Sequence, residues 1–205
     1  MKIVVAATDD QWGELTAGRS GTEWLRVDDP KDFTTTHEAD IFLNVKDNSI
    51  LPDFEALHKP VIINSVTQTL KDLKAPKNVF RINGWAGFLQ RTSWEIAGPV
   101  DENMIALFDA TELKINAVAD EPGLIAARIV SMIINEAYFT VNEKVSSKKE
   151  IDTAMKLGTN YPYGPFEWAD IIGKKNILEL LLELSLTDKR YQPAELLMKE
   201  VKENN

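Results

Sequence analysis

Side chains able to move protons, hold metals or form covalent intermediates are scarce in this chain. Its 205 residues include two histidines, His37 and His58, and no cysteine. Thiolate catalysis, disulfides and cysteine metal sites are therefore excluded. With two histidines, no cysteine and no clustered ligand spacing, metal binding has no support. His37 follows a threonine run and His58 precedes Lys59-Pro60, and both read as loop or helix-end residues. The acids carry more information. Asp9-Asp10 follow the first apolar run, and Asp28-Asp29 follow the second. In a dinucleotide-binding βαβ unit, the turn after the first strand reads G-x-G-x-x-G. Its glycines let the pyrophosphate approach a helix N-terminus, and an acid after the second strand takes the ribose. Here Thr8-Asp9-Asp10-Gln11-Trp12-Gly13 has no glycine pair, and two carboxylates stand where the pyrophosphate must come. Asp28 or Asp29 is suitably placed for a ribose. Equally, Asp29 can cap a helix that begins at Pro30.

The elements that must position these groups fall into two kinds. Before residue 120, apolar runs of strand length recur at Ile3–Ala7, Trp24–Val27, Ile41–Val45, Val61–Ile63, Val79–Ile82, Trp94–Ala97 and Ile115–Val118. Polar segments such as Pro30–Glu38 and Pro52–His58 separate them and have helix length. Strands alternating with short helices predict a mostly parallel sheet covered by helices. From Asp120 the pattern turns helical. Asp120 or Glu121 is read as a cap with Pro122 in the first turn, followed by an apolar run from Leu124 to Phe139. Leu124, Ile125, Ile129, Met132, Ile133 and Ala137 occupy more than one face of that helix, which predicts burial at a domain or subunit interface. Ser147 and Glu150 form a capping box for a helix stopping at Gly158. Pro165 opens a helix ending at Gly173, Asn176–Leu186 is leucine-rich, and Pro193 starts the last helix.

The net charge of −9 disfavours binding to nucleic-acid phosphates. No apolar run approaches the roughly 20 residues of a membrane helix. Met1–Ala7 is read as a strand rather than a signal peptide. A cytoplasmic protein with neither nucleic-acid nor membrane partners is the expectation.

Four stretches together have a specific character: Glu121-Pro122-Gly123-Leu124-Ile125, Asn135-Glu136-Ala137, Ile151-Asp152-Thr153-Ala154 and Tyr161-Pro162-Tyr163-Gly164-Pro165-Phe166-Glu167-Trp168-Ala169-Asp170. With the closing Lys189-Arg190-Tyr191-Gln192-Pro193, they resemble the helical C-terminal domain of the 3-hydroxyacyl-CoA dehydrogenase family. The expected fold is α/β plus all-α. Residues 1–119 would form a reduced, degenerate Rossmann-like domain with a mostly parallel sheet, and residues 120–205 a helical dimerisation domain.

The resemblance implies NAD as cofactor, an acyl-CoA ligand, a place in fatty acid metabolism and a homodimer formed by the helical domain. It also implies a catalytic histidine in a Gly-Leu-His-Phe-Phe-Asn-Pro-like stretch, with a glutamate twelve residues on. The matching stretch here is Val79-Phe80-Arg81-Ile82-Asn83-Gly84-Trp85-Ala86-Gly87, so Asn83 replaces the histidine and Glu95 is the remnant glutamate. An amide is no general base near neutral pH. The substrate-binding candidates are Ser65 and Thr67, with Val66 at the family's serine position. Ala127 replaces the family's asparagine, and Arg128 reads as a salt-bridge residue. Tyr163, Phe166 and Trp168 are acyl-contact candidates, with core packing as the alternative. Glu95 can also be read as a paired strand residue. Three functions stay open: a divergent member with catalysis impaired or lost, an NAD-dependent dehydrogenase with an atypical site, and a non-enzymatic dimerisation or regulatory module.

Overall fold

Val- and Ile-rich runs pair into one seven-stranded sheet in the computed structural model, which describes residues 1–35, 39–46, 53–109, 111 and 113–203. His37 and Pro52 lie outside the described residues. The strands are β1 (Lys2–Ala6), β2 (Glu23–Val27), β3 (Ile41–Asn44), β4 (Val61–Asn64), β5 (Val79–Ile82), β6 (Ser93–Ala97) and β7 (Lys114–Val118). Their order is β2-β1-β3-β4-β5-β6-β7, and only the β5–β6 pair is antiparallel. The chain therefore reverses its winding direction between β1 and β3, a switch point of the kind where open α/β sheets bind ligands. The fold is a reduced Rossmann-like sheet unit followed by a helical unit, and the compact units are Met1–Leu124 and Ile125–Asn205.

Side-chain alternation builds a core on each face of the sheet. Ile3, Val5, Ile41, Leu43, Ile62, Phe80 and Ile82 face one way. They are covered by Leu15 of α1 (Asp9–Thr16), by Leu89, and by Met104 and Phe108 of α2 (Glu102–Asp109). Val4, Ala6, Phe42, Val61, Ile63 and Val79 face the other way, under Phe33 and Phe54. The helices expected over 30–38 and 52–58 are instead short 3-10 turns, Pro30–Thr35 and Glu55–Leu57. The Thr34 and Thr35 hydroxyls donate to the carbonyls of Lys31 and Asp32, which gives the backbone an alternative to helix. The second turn ends where His58 enters the left-handed region, at φ 51°.

The helical unit comprises α3 (Ala126–Asn142), α4 (Lys148–Thr159), α5 (Pro165–Ile172), α6 (Lys174–Ser185) and α7 (Glu195–Glu203). The long helix does not start at a cap on Asp120 or Glu121. Gly123 and Leu124 adopt positive φ (81° and 50°), which breaks helical continuation, so Pro122 lies in a turn. Gly158 is not a stop either: α4 runs through Thr159, and Asn160 provides the left-handed cap. The Ser147/Glu150 capping box is present. In α5 Ile172 is buried and Ile171 is half-buried.

The signature stretch is a capping device. Asp152 of α4 accepts the N–H of Phe166 at 2.8 Å, and Glu167 accepts the N–H of Gly164 at 2.9 Å. Both carboxylates satisfy donors at the start of α5, where no intrahelical partner exists. Lys156 pairs with Glu167 across α4 and α5. Asn135 is the central pin of α3. Its Oδ1 accepts the Ala194 N–H at 2.8 Å, and its Nδ2 donates to the Gln192 carbonyl at 2.9 Å.

Glu200 gathers Lys148, Lys174 and the Tyr138 hydroxyl around one carboxylate. Burial raises its pKa, but the three hydrogen bonds outweigh burial and hold it below the usual glutamate value. A depressed carboxyl stabilises the fold above its unfolded pKa, and that contribution disappears as pH falls through the folded value. Lys174 is shifted the other way: burial lowers its pKa, and Glu200 and Asp170 raise it further. Its contribution is lost only at alkaline pH, above the ordinary lysine value. The helical unit is expected to lose stability on acidification below about pH 4.5, and Glu200→Gln should flatten that acid limb. Circular dichroism melts across pH check this, and an unchanged acid limb in the variant would refute it.

Candidate functional site

The site begins at the carboxyl ends of β1, β3, β4 and β5, where the turn residues Thr8, Val45, Asn64 and Asn83 follow or end the strands. At the end of β1 the chain turns into α1 with Thr8 as cap. The Gln11 N–H donates to Thr8 Oγ1 at 3.3 Å, and the Thr8 N–H donates to Gln11 Oε1 at 3.0 Å. This capping box occupies donors that an anion at a helix N-terminus would otherwise use. Gln11 Nε2 then reaches across the switch point and donates to the Val45 carbonyl at 2.6 Å. Asn64 Nδ2 donates to the same carbonyl at 3.3 Å. Asp9 and Asp10 occupy the first turn of α1, and Asp9 pairs with Arg26 at 2.7 Å. Side chains thus bridge the crevice, and the Arg26 guanidinium also donates to the Ala7 carbonyl at 3.0 Å.

A dinucleotide is ordinarily held by a different kind of turn. Its pyrophosphate requires free N–H groups and a Cβ-free turn at the end of β1. Here the Thr8 and Gln11 N–H groups are engaged, and no glycine follows the strand. At the end of β2, Asp28 is exposed and its carbonyl accepts Lys46 Nζ at 2.6 Å. Asp29 Oδ1 accepts the Lys31 N–H at 2.8 Å and so caps the following turn.

The candidates after β4 and β5 lie closer together. The Ser65 hydroxyl donates to the Gln68 carbonyl at 2.7 Å within its own turn, and Thr67 is half-buried beside it. Asn64 Oδ1 accepts the Gly84 N–H at 2.9 Å, and a Cβ on Gly84 would stand 2.7 Å from the Asn64 side chain. Asn64 and Gly84 thereby fix the turn that carries Asn83. Asn83 is nine-tenths buried; its Oδ1 accepts the Trp85 N–H at 3.1 Å, and its Nδ2 has no partner among the described residues. The β5–β6 register pairs Ile82 with Ile96, so one further step leads to Asn83 and Glu95. Asn83, just after β5, therefore stands beside Glu95 of β6. Glu95 is half-buried and acts electrostatically on Arg91. Asn83 offers a hydrogen-bond donor and Glu95 a carboxylate. His58, the histidine among the described residues, lies before β4 at the opposite edge of the sheet.

Sequence reading missed the largest polar feature of this unit. Arg81 is fully buried within β5, and its Nε donates to Asp120 Oδ1 at 2.5 Å. Its other nitrogens donate to the carbonyls of Ser65 at 3.0 Å and Glu121 at 2.5 Å. Asp120 also accepts the Leu70 N–H at 3.0 Å. The available signal was an arginine inside an apolar strand, since a buried charge requires a partner.

The remaining candidates belong to the helical unit. Phe166 packs edge-on against Tyr138, and Tyr163 against Trp168, both with ring centroids 5.0 Å apart. Phe166 and Trp168 are buried. The Arg128 guanidinium lies 5.9 Å from the centroid of the Tyr191 ring. Together with Ile129, Met132, Ile133 and Arg190 these residues line a shallow cleft of about 410 Å³. Among the described residues, no group of three side chains could hold a metal ion, and no helix is long and apolar enough to cross a membrane.

Comparison with known proteins agrees with this anatomy. Residues 123–205 match the family model described as 3-hydroxyacyl-CoA dehydrogenase, C-terminal domain. An 82-residue segment is 48% identical to 3-hydroxyadipyl-CoA dehydrogenase of Escherichia coli K12, covering 39% of this chain and 17% of that protein. An 84-residue segment is 44% identical to 3-hydroxybutyryl-CoA dehydrogenase of Bradyrhizobium diazoefficiens, covering 40% of this chain and 29% of that protein. The matched segment thus spans less than a third of either relative. The crystal structure of (S)-3-hydroxybutyryl-CoA dehydrogenase from Ralstonia eutropha superposes with a TM-score of 0.71 at 21% identity, over 89% of this chain and 70% of that one. That likeness is one of fold.

Proposed function

With residues 123–205 belonging to the 3-hydroxyacyl-CoA dehydrogenase C-terminal domain family, this chain is, we propose, a divergent member in which NAD-dependent dehydrogenation is impaired or lost. Its remaining role is binding an acyl-CoA. The observation that carries the reading is Gln11, which bridges Thr8 to the Val45 carbonyl across the switch point. A pyrophosphate would have to break those bonds, at about 1 kcal/mol each, and then face Asp9 and Asp10. Asn83 supports the same conclusion, because its amide can donate to a substrate oxygen but cannot take a proton from it. The carboxyl-side turns carrying Ser65, Thr67 and Asn83 are the substrate-facing candidates in the sheet unit.

A homodimer formed by the helical unit is part of the proposal. Ile125, just before α3, and Ile129 on α3 are 51% and 53% exposed, and Ile129 lines the shallow cleft with Met132 and Ile133. An apolar helix face left in water is the expected signature of an interface.

A thermal-shift titration tests the ligand reading. A ligand that binds only the folded protein raises its stability by about 2.7 kcal/mol at a hundredfold excess over its dissociation constant. Acetoacetyl-CoA is expected to raise the melting temperature, while NADH leaves it unchanged. A clear shift with NADH would overturn the loss of the cofactor site, and no shift with any CoA ester would leave only the dimerisation role.

A further inference from the structure

The opposite edge of the sheet carries a cleft that the family reading does not use. It has a volume of about 690 Å³, within the range of roughly 300–1,000 Å³ typical of small-molecule sites. It lies in the sheet unit, at the amino ends of β3, β4 and β5. Phe80, Met104 and Leu107 give it an apolar wall, and Lys59 and Lys77 stand among its lining residues.

The two lysines are held together by the backbone. The parallel register pairs Val61 with Val79, so two steps back Lys59 faces Lys77. Asn78 locks this arrangement: its Nδ2 donates to the carbonyls of Phe54 at 2.8 Å and Lys59 at 3.0 Å, and its own carbonyl accepts the Val61 N–H at 2.9 Å. Like charges at facing positions on neighbouring strands are unfavourable. Among the described residues neither lysine has an ion-pair partner. Two acids also line the cleft: Asp40 accepts the Lys2 N–H at 2.8 Å, and Asp101 accepts the Met104 N–H at 2.8 Å as the cap of α2.

We propose that this cleft binds a small organic anion with an apolar body, its charged head between Lys59 and Lys77 and its body against Phe80, Met104 and Leu107. Neither half of the site is sufficient alone. Exposed lysines bind inorganic anions weakly and lose them to salt. The apolar wall alone would not distinguish an acid from an alcohol.

Amide NMR titrations of the full chain with hexanoate, inorganic phosphate and hexan-1-ol test this. Hexanoate is expected to give saturable shifts at residues 58–61, 77–80 and 104–107. Phosphate and hexanol should bind at least tenfold more weakly. The double variant Lys59→Gln/Lys77→Gln changes two exposed side chains, so it should keep the fold and weaken hexanoate at least tenfold. The proposal is overturned if hexanoate shifts resonances elsewhere or not at all, if phosphate or hexanol binds equally well, or if the double variant retains full affinity.

Discussion

Arg81→Ala is expected to destabilise the sheet unit by about 3 kcal/mol, a large share of the roughly 5–15 kcal/mol that holds a domain together. The guanidinium is fully buried and ties two chain segments to β5: Ser65 through its carbonyl, and Asp120-Glu121 through the Asp120 carboxylate and the Glu121 carbonyl. Removing it leaves those acceptors without their donor and opens a cavity in the middle of a strand. Removing one partner of a buried pair costs about 3–5 kcal/mol. The lower end applies because the Asp120 side chain keeps 30% exposure and can recover some hydration. Asp120→Asn keeps the shape but strands the arginine charge, and should cost a similar amount. Four of the five tryptophans (Trp12, Trp24, Trp85 and Trp94) lie in the sheet unit, so fluorescence-detected urea unfolding isolates the effect. A loss below about 1 kcal/mol, the scale of an ordinary surface change, would contradict the clamp.

Gly164→Ala should be comparably damaging to the helical unit, by about 3 kcal/mol. Gly164 sits at φ −75° and ψ 166°, so backbone strain is not the reason. The reason is space. An added Cβ would lie 2.5 Å from the Asp152 Cα, and main chain cannot rotate away as a side-chain tip can. Overpacking of this kind costs about 1–3 kcal/mol. Pushing Asp152 aside also breaks its bond to the Phe166 N–H, and losing a cap costs about 1 kcal/mol. Asp152→Asn keeps an acceptor and should be much milder. Loss of helical circular dichroism on heating measures both variants. Equal melting of Gly164→Ala and wild type would show that α4 and α5 do not approach this closely.

The legible parts of the fold were those governed by local pattern. Val- and Ile-rich runs located all seven strands, and Pro165 with Gly173 bounded α5, because strand propensity and proline or glycine punctuation act over a few residues. The start of α3 was not legible. Pro122 resembles a first-turn proline, and nothing local announces that Gly123 and Leu124 turn left-handed. The Arg81–Asp120 pair spans 39 positions and forms only when β5 and the segment after β7 are assembled. Gln11 shows the same limit at the site. Its position after Thr8 suggests a capping box, but its second bond, to Val45, joins residues 34 apart. The sequence could show that the glycines were missing. The bridge across the crevice became visible only in three dimensions.

The most direct test of the central claim is turnover. Purified protein would be mixed with NAD and (S)-3-hydroxybutyryl-CoA, and NADH formation followed by absorbance against a no-protein control. With Gln11 bonded to Thr8 and Val45 and an amide at position 83, the proposal predicts no NADH above the control, at any protein concentration. NADH formation that rises in proportion to protein and saturates with both substrates would contradict the account.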